Sequence, residues 1–429
     1  MHHFNLKNGS LHVEDASVDS LATKYGTPLY VYSQNTLLDH YGRLDSALSA
    51  LDHMVCYAAK ANSNLAVLSV LAQAGSGFDI VSAGELYRVM AAGGDARKCT
   101  FAGVGKTRDE IEFALDQGIY AFICESEAEV QFIDKVAKSL KKKAPIAIRV
   151  NPNVDAGTHA KITTGTYENK FGIAFEEIPG VYARAAKLKN IFLRGVHMHI
   201  GSQIISTQPF LRAVQKMIPL VQKLKAKYKI EFFDIGGGLG IVYDQALESG
   251  PSKWWGPGKK ELPLTPASYA EAVVPLLKNL GLRILVEPGR FIAGNSGILV
   301  TEVLYVKKTS KKNFVIVDAA MNDLIRPSFY DAYHEVVPLK KGKGGRKIPT
   351  DVVGPICESG DVFCKNRMLA PLLAGDRIAF LSAGAYGFAM ASNYNSRPKA
   401  AEILVKGKKV LLARKRESFP DLVRGECVT

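Results

Sequence analysis

Eight short apolar or β-rich runs, each joined to the next by a helical pattern, leave this chain few folds to choose from. They are Met54 to Ala58, Phe78 to Val81, Thr100 to Ala102, Tyr120 to Cys124, Pro145 to Val150, Leu193 to Ile200, Phe232 to Ile235 and Arg283 to Val286. Between them apolar residues return at helical spacing, as in Leu65, Leu68, Leu71 and Ala72, and in Ile133, Val136, Ala137 and Leu140. Three helices open on a hydroxyl followed three residues later by glutamate: Ser82 with Glu85, Thr107 with Glu110, and Ser126 with Glu129. At that spacing the hydroxyl and the carboxylate can satisfy the free N–H groups of a first helical turn. Strand, loop and capped helix repeated eight times predicts a (β/α)8 barrel. An open doubly wound sheet permits the same alternation, but it gathers its ligand-binding residues at one switch point. Here polar motifs follow runs one, two, six, seven and eight, which favours closure.

After Arg290 the texture changes. Ile298 to Val306, Asn313 to Asp318, Lys347 to Val353, Arg377 to Leu381, Ala401 to Val405 and Lys408 to Leu412 are β-rich and separated by Gly, Lys and Pro turns. They predict an antiparallel β domain, a barrel or sandwich. The strand-like Pro28 to Tyr32 precedes the first barrel unit and is expected to join that domain. The expected fold is therefore α/β plus all-β: an N-terminal segment over 1–35 packing with the β domain, a TIM-like (β/α)8 barrel over 36–290, and the C-terminal antiparallel β domain over 291–429. A length of 429 residues suits two domains, and 47% hydrophobic with 22% charged residues suits a soluble globular protein. No apolar stretch approaches the ~20 residues of a membrane span. The amino terminus lacks the apolar core of a signal peptide.

Cys56, Cys99, Cys124, Cys357, Cys364 and Cys427 show no CxxC or zinc spacing, so reduced thiols in a cytoplasm are expected and no metal site. The net charge of +14 lies largely in short runs such as Lys141 to Lys143, Lys307 to Lys312, Lys340 to Lys347, Lys406 to Lys409 and Arg414 to Arg416. These sit between apolar segments without interleaved aromatics, and read as solvated turns rather than a nucleic-acid or membrane surface. The segment Glu248 to Glu261 carries no motif.

Chemistry concentrates at the ends of the runs. Lys60, in VCYAAKAN, follows the first run at the mouth of a packed core, where desolvation can free an amine to attack an aldehyde. His199 lies in HMHIGS, Gly236 to Gly238 in DIGGGLG, and Glu287 to Arg290 in VEPGR. Bare glycine N–H groups can approach a phosphate, and a carboxylate facing a pyridine nitrogen would keep it protonated and make the ring an electron sink. Taken singly, each residue has a plainer reading. Lys60 could be the first polar residue after a strand, His199 a satisfied core histidine, the glycines a tight turn, Glu287 a surface acid, and Cys357 a buried structural thiol. A barrel would bring Lys60, His199, the glycines and Glu287 to one mouth, and an aldehyde cofactor with a phosphate and a ring nitrogen would use all four.

In their order YAAKAN, FDIVSAGE, HMHIGSQ, DIGGGLG, EPGRF and CESGD, the chain resembles the fold-type III pyridoxal-phosphate decarboxylases from about residue 25 to residue 400. Within that group it is most similar to those acting on diaminopimelate. CESGD, Cys357 to Asp361, resembles that type, whereas ornithine decarboxylases carry an aspartate where this chain has Glu358. RPSFY, Arg326 to Tyr330, resembles the arginine and tyrosine that grip the distal carboxylate of diaminopimelate. The resemblance implies a carboxy-lyase that converts meso-2,6-diaminopimelate to L-lysine and CO2 with pyridoxal 5'-phosphate, and that works as a homodimer with shared active sites.

Residue by residue, the resemblance implies that Lys60 forms the Schiff base, His199 stacks on the ring, and Glu287 pairs with the ring nitrogen with Asp79 nearby. Ser202, Gly236, Gly237, Gly238, Gly289, Arg290 and Tyr386 would surround the phosphate. Arg290, Arg326, Tyr330, Glu358 and Tyr386 would bind substrate, and Cys357, on a segment contributed by the partner subunit, would protonate the carbanion. Two arginines suit a ligand with a carboxylate at each end. The alternatives are a decarboxylase for carboxynorspermidine, ornithine or arginine, an amino-acid racemase, and a noncatalytic relative that binds another protein. Arg326 speaks against carboxynorspermidine, CESGD against a racemase, and the joint presence of Lys60, His199, Glu287 and Cys357 against a noncatalytic role.

Overall fold

The computed structural model describes residues 2–155, 170–248, 264–340 and 345–429. Residues 249–261 of the Glu248 to Glu261 segment, and 341–344 of the Lys340 to Lys347 run, lie outside the described residues. The chain forms two compact units. One holds the described residues from Leu38 to Ile241 and from 264 to Ile292; the other holds those from 2 to Leu37, from Val242 to 248 and from Ala293 to Thr429.

The first unit is a closed ring of eight parallel strands. In chain order they are His53–Ala58, Gly77–Ile80, Cys99–Phe101, Ala121–Cys124, Ala144–Asn151, Ile191–Met198, Phe232–Asp234 and Arg283–Val286. Each pairs with the next, and the eighth pairs with the first through Ile284 opposite His53 and Val286 opposite Val55. The barrel expected from the alternation is present, with strand ends displaced by at most two residues and the eighth strand matching at both ends. Its interior is filled by Cys56, Ala121, Ile123, Ala147, Phe232 and Leu285. Gly195 leaves room for the Phe232 ring, since a Cβ there would collide with it.

The helices start where the hydroxyls predict. Ser82, Thr107 and Ser126 each accept a hydrogen bond from the N–H three residues on. Only Thr107 with Glu110 closes a reciprocal box. Glu85 and Glu129 reach one residue further back, to the N–H groups of Val81 and Glu125 at 2.8 and 2.7 Å, and so tie the end of a strand to the helix that follows it.

In the second unit the strand Leu29–Ser33, buried along its whole length, pairs antiparallel with Gly297–Lys308 and parallel with Ala401–Lys406. The amino-terminal strand does join the β domain. The domain is mixed rather than antiparallel, because Asn313–Val317 also runs parallel to Ile348–Val353. A hairpin forces antiparallel pairing, but these two strands are linked through the helix Arg326–Tyr330 and the strand Val336–Pro338, a connection long enough for a crossover. The strand Val362–Leu369 escaped the sequence reading because Lys365, Asn366 and Arg367 interrupt its apolar pattern. A small sheet of Phe4–Lys7, Ser10–Val13 and Ala16–Ser17 precedes Leu29–Ser33. Among the described residues no helix is long and apolar enough to cross a membrane.

Candidate active site

A parallel barrel presents reactive groups where its strands end, because the loops that follow are free to carry them. Lys60 sits in a single 3-10 turn, Ala59–Ala61, immediately after the first strand. Ala59 and Ala61 are buried, which holds the turn in place while the lysine side chain stays partly exposed. Ala58 N–H donates to Pro288 O at 3.2 Å and ties this turn to the end of the eighth strand. Lys60 Nζ donates to Asp79 Oδ2 at 3.0 Å. Asp79 lies in the second strand and is 1% exposed. Burial and the charge of Glu287 push its carboxyl up to about 6 against the pull of Lys60.

The sixth strand supplies His197, and His199 follows one residue beyond its end. Side chains two apart on a strand share a face. Burial, with the positive charges of Arg149 and Lys60, pushes the His199 imidazole well below its usual range, so the ring is neutral. Its Nδ1 accepts the Gly237 N–H at 3.1 Å, which places the ring proton on Nε2.

The glycines bring the loops after strands six, seven and eight into backbone contact. A Cβ at Gly237 would collide with the carbonyl oxygen of Glu287, and one at Gly236, whose φ is +72°, with that of Met198. Gly236 N–H donates to Asp234 Oδ1 at 2.8 Å, and Gly236 O accepts from Glu287 N–H at 2.9 Å. Two of the three glycine N–H groups are therefore used inside the chain.

Glu287 is 6% exposed. Burial alone would raise its carboxyl, but His197 and Lys60 outweigh it and bring the group down to about 2, so it stays ionised. Its Oε2 lies 3.2 Å from His197 Nε2, while Oε1 is buried without a hydrogen-bond partner. An ionised oxygen left in this state calls for a donor from a bound molecule. Arg290, buried at the start of the short helix Arg290–Ala293, donates to Ser202 Oγ at 3.2 Å. Gly289 precedes it in the same loop. The barrel unit thus gathers an amine, a neutral imidazole, an ionised carboxylate and a glycine-lined turn, which together fit an aldehyde with a basic ring nitrogen and an anionic group.

The remaining candidates lie in the second unit. Arg326 is buried, donates from Nε to His334 Nε2 at 3.4 Å, and faces the rings of Tyr243 and Tyr330 at 5.5 and 5.9 Å. His334 Nδ1 contacts Leu381 O at 2.8 Å, which fixes the tautomer that can accept from Arg326. Cys357 is an exposed free thiol whose N–H donates to Asn395 Oδ1 at 3.1 Å. Glu358 accepts from Tyr394 OH at 2.9 Å. Asp361 anchors their loop by accepting the N–H groups of Met321 and Ile356 at 2.7 and 2.8 Å. Tyr386 has a φ of +57°, a left-handed conformation rare for a side-chain-bearing residue.

Residues 35–294 match the family model described as pyridoxal-dependent decarboxylase, pyridoxal binding domain. The chain is 47% identical to diaminopimelate decarboxylase of Vibrio cholerae, over 98% of each chain. The corresponding protein of Pseudomonas aeruginosa is 46% identical over 99% of this chain and 98% of the relative. The diaminopimelate decarboxylase of M. jannaschii, solved with L-lysine, superimposes with a TM-score of 0.91 at 34% identity, covering 100% of this chain and 99% of that one. The chain belongs to the diaminopimelate decarboxylase family.

For a member of this family, two residues of the site escaped the sequence reading. His197 was overshadowed by His199, although the HMH spacing puts both on one face of a strand. Asp234 closes the seventh strand just before the glycines, where an aspartate accepts the N–H two residues on. Its carboxyl is pushed well above the carboxylate range by burial and by the charge of Glu287.

Proposed function

We propose that the protein decarboxylates meso-diaminopimelate to L-lysine and CO2 with pyridoxal 5'-phosphate. The observation that carries this reading is Glu287, buried and ionised, with one oxygen unpartnered and within electrostatic reach of Lys60. When bound, pyridoxal 5'-phosphate supplies the sink for the electron pair that CO2 leaves behind. Lys60 is the amine that would hold its aldehyde carbon and be displaced by the substrate amine, with Asp79 holding Nζ in place until then. Glu287 keeps a proton on the ring nitrogen. His199, neutral and with Nδ1 fixed by Gly237, offers a flat uncharged face to the ring. Ser202, Gly238, Gly289, Arg290 and Tyr386 are the residues for the phosphate, while Gly236 and Gly237 serve by letting the loops close together.

Two cationic side chains, Arg290 and Arg326, match carboxylates at both ends of the substrate, and Glu358 matches the distal ammonium. Tyr330, packed beside Arg326, would complete the distal site, and Tyr386 is assigned to substrate as well as phosphate. The exposed Cys357 would return the proton, and we assign it together with Glu358 to the site of the partner in a homodimer. A small amino acid is then the ligand, and nucleic acid and membranes are not. A cytoplasmic setting suits the free thiols. Purified protein supplied with meso-diaminopimelate and cofactor should release CO2 and lysine in equal amounts. Turnover of ornithine, arginine or carboxynorspermidine in preference to it would replace the substrate named here.

Arg326→Ala should weaken use of diaminopimelate by about 2 to 5 kcal/mol, as for the loss of one partner of a buried charge pair, and mostly through KM. The visible absorption of bound cofactor should be unchanged. Loss of cofactor in that variant would move Arg326 to the phosphate.

Mixing inactive Lys60→Ala with inactive Cys357→Ala should restore activity once subunits exchange. A mixed dimer carries one site with both wild-type groups, so up to about a quarter of wild-type activity is expected when half the dimers are mixed. Exchange proven with differential tags, without recovered activity, would show that both residues act within one chain.

A further inference from the structure

Resting on the reading of Glu287 as the partner of the ring nitrogen, we propose that His197 is a positioning residue: its Nε2–H fixes one oxygen of Glu287 so that the other, Oε1, is kept for the cofactor. His197 is 1% exposed, and its Nε2 stands 3.2 Å from Glu287 Oε2. Its other nitrogen, Nδ1, is buried without a hydrogen-bond partner. The acceptor within reach of the ring is thus Glu287, so Nε2 carries a proton. Asp234 completes a compact group, since one ligand-type atom each of His197, Asp234 and Glu287 lies within 4.8 Å of the others.

The physical need for such a residue follows from the crowd of acids in the barrel mouth. Asp79, Asp234 and Glu287 are all buried; beyond burial, Glu287 makes ionisation of Asp79 and Asp234 harder, and Asp79 adds to the effect on Asp234. One of the three must stay charged at the ring nitrogen. His197 selects Glu287, since it is the foremost group lowering that carboxyl against burial, whereas Asp234 is left raised. The selection is also geometric. A carboxylate held by one oxygen presents the other in a fixed direction, and a carboxylate held by neither can rotate or take up a proton.

The test separates the donated hydrogen bond from the volume of the ring. His197→Gln can offer an N–H near the position of Nε2, His197→Ala offers nothing, and His197→Leu fills the space without a donor. Each protein, stripped of cofactor, is titrated with pyridoxal 5'-phosphate carrying 15N in the ring. Fluorescence gives the affinity, and the nitrogen resonance reports whether the ring is protonated. Thermal melting shows that each variant is folded. In the wild type the resonance should be that of a pyridinium. His197→Ala should bind the cofactor about tenfold or more weaker, with the resonance moved toward neutral pyridine, and His197→Gln should recover most of both. If the alanine variant does not fold, His197→Leu stands in its place with the same expectation.

The inference is overturned by a folded alanine or leucine variant with wild-type affinity and resonance, or by a glutamine variant no better than they are. A wild-type protein that binds cofactor with an unprotonated ring also overturns it. Failure of the wild type to bind the cofactor at all would remove the reading of the site beneath it.

Discussion

Lys60→Ala is expected to remove the visible absorption of the purified protein and to lower turnover of diaminopimelate by about four orders of magnitude or more. Among the described residues Lys60 is the amine that acts on both Asp79 and Glu287, so without it the aldehyde would lose its covalent anchor. The loss reaches beyond the bond itself. Lys60 is one of the charges that oppose burial at Asp79 and Glu287, and without it both carboxyls should move upward. The variant should nevertheless fold, because the Lys60 side chain is 41% exposed and the turn is held by Ala59 and Ala61. Difference spectra with added cofactor, and single-turnover assays, check this. A folded alanine variant that keeps both colour and turnover would remove Lys60 from the covalent role assigned to it.

Glu287→Gln should cost the next largest amount, about 10²- to 10³-fold in kcat, the range for removing one preorganised electrostatic partner from a reacting centre. Glutamine keeps the size of the side chain and can still meet His197, so the barrel mouth should keep its shape. What it cannot do is hold a positive ring nitrogen. The effect should therefore appear in kcat, with KM for diaminopimelate changed little, since the proposed partners of the substrate carboxylates are Arg290 and Arg326. Burial is the larger cause that raises Asp234, and it remains, but the charge of Glu287 that adds to it disappears, so that carboxyl should fall part of the way. A Glu287→Gln enzyme within tenfold of wild type would mean that the ring nitrogen needs no charged partner here.

The barrel was legible because its signal is repeated. Apolar runs of strand length recurred eight times, with helical spacing between them and hydroxyl caps at three of the helices, and local agreement of this kind is what directs a chain to one fold. Lys60, His199, the glycines and Glu287 were legible because each stands at a strand end, where a polar residue is informative. Asp234 and His197 were not, since their role depends on Glu287, far away in sequence, and the pairing exists only once strands six, seven and eight are neighbours. The direction of Asn313–Val317 against Ile348–Val353 failed for a similar reason. Strand pattern gives the faces of a strand but not its direction relative to a partner that no hairpin joins to it.

The buried strand Leu29–Ser33 sets a timetable for the ribosome. It leaves the exit tunnel ahead of the barrel, yet both strands that flank it, Gly297–Lys308 and Ala401–Lys406, are encoded after the entire barrel. At roughly 5–20 residues per second, this apolar segment must wait on the order of tens of seconds for its neighbours. Throughout that interval LYVYS has neither edge paired, a state in which a β-rich segment can join a foreign strand as easily as its own. Nascent chains arrested after the barrel but before residue 297 should therefore be the species most dependent on holding chaperones, and chains released after Lys406 the least.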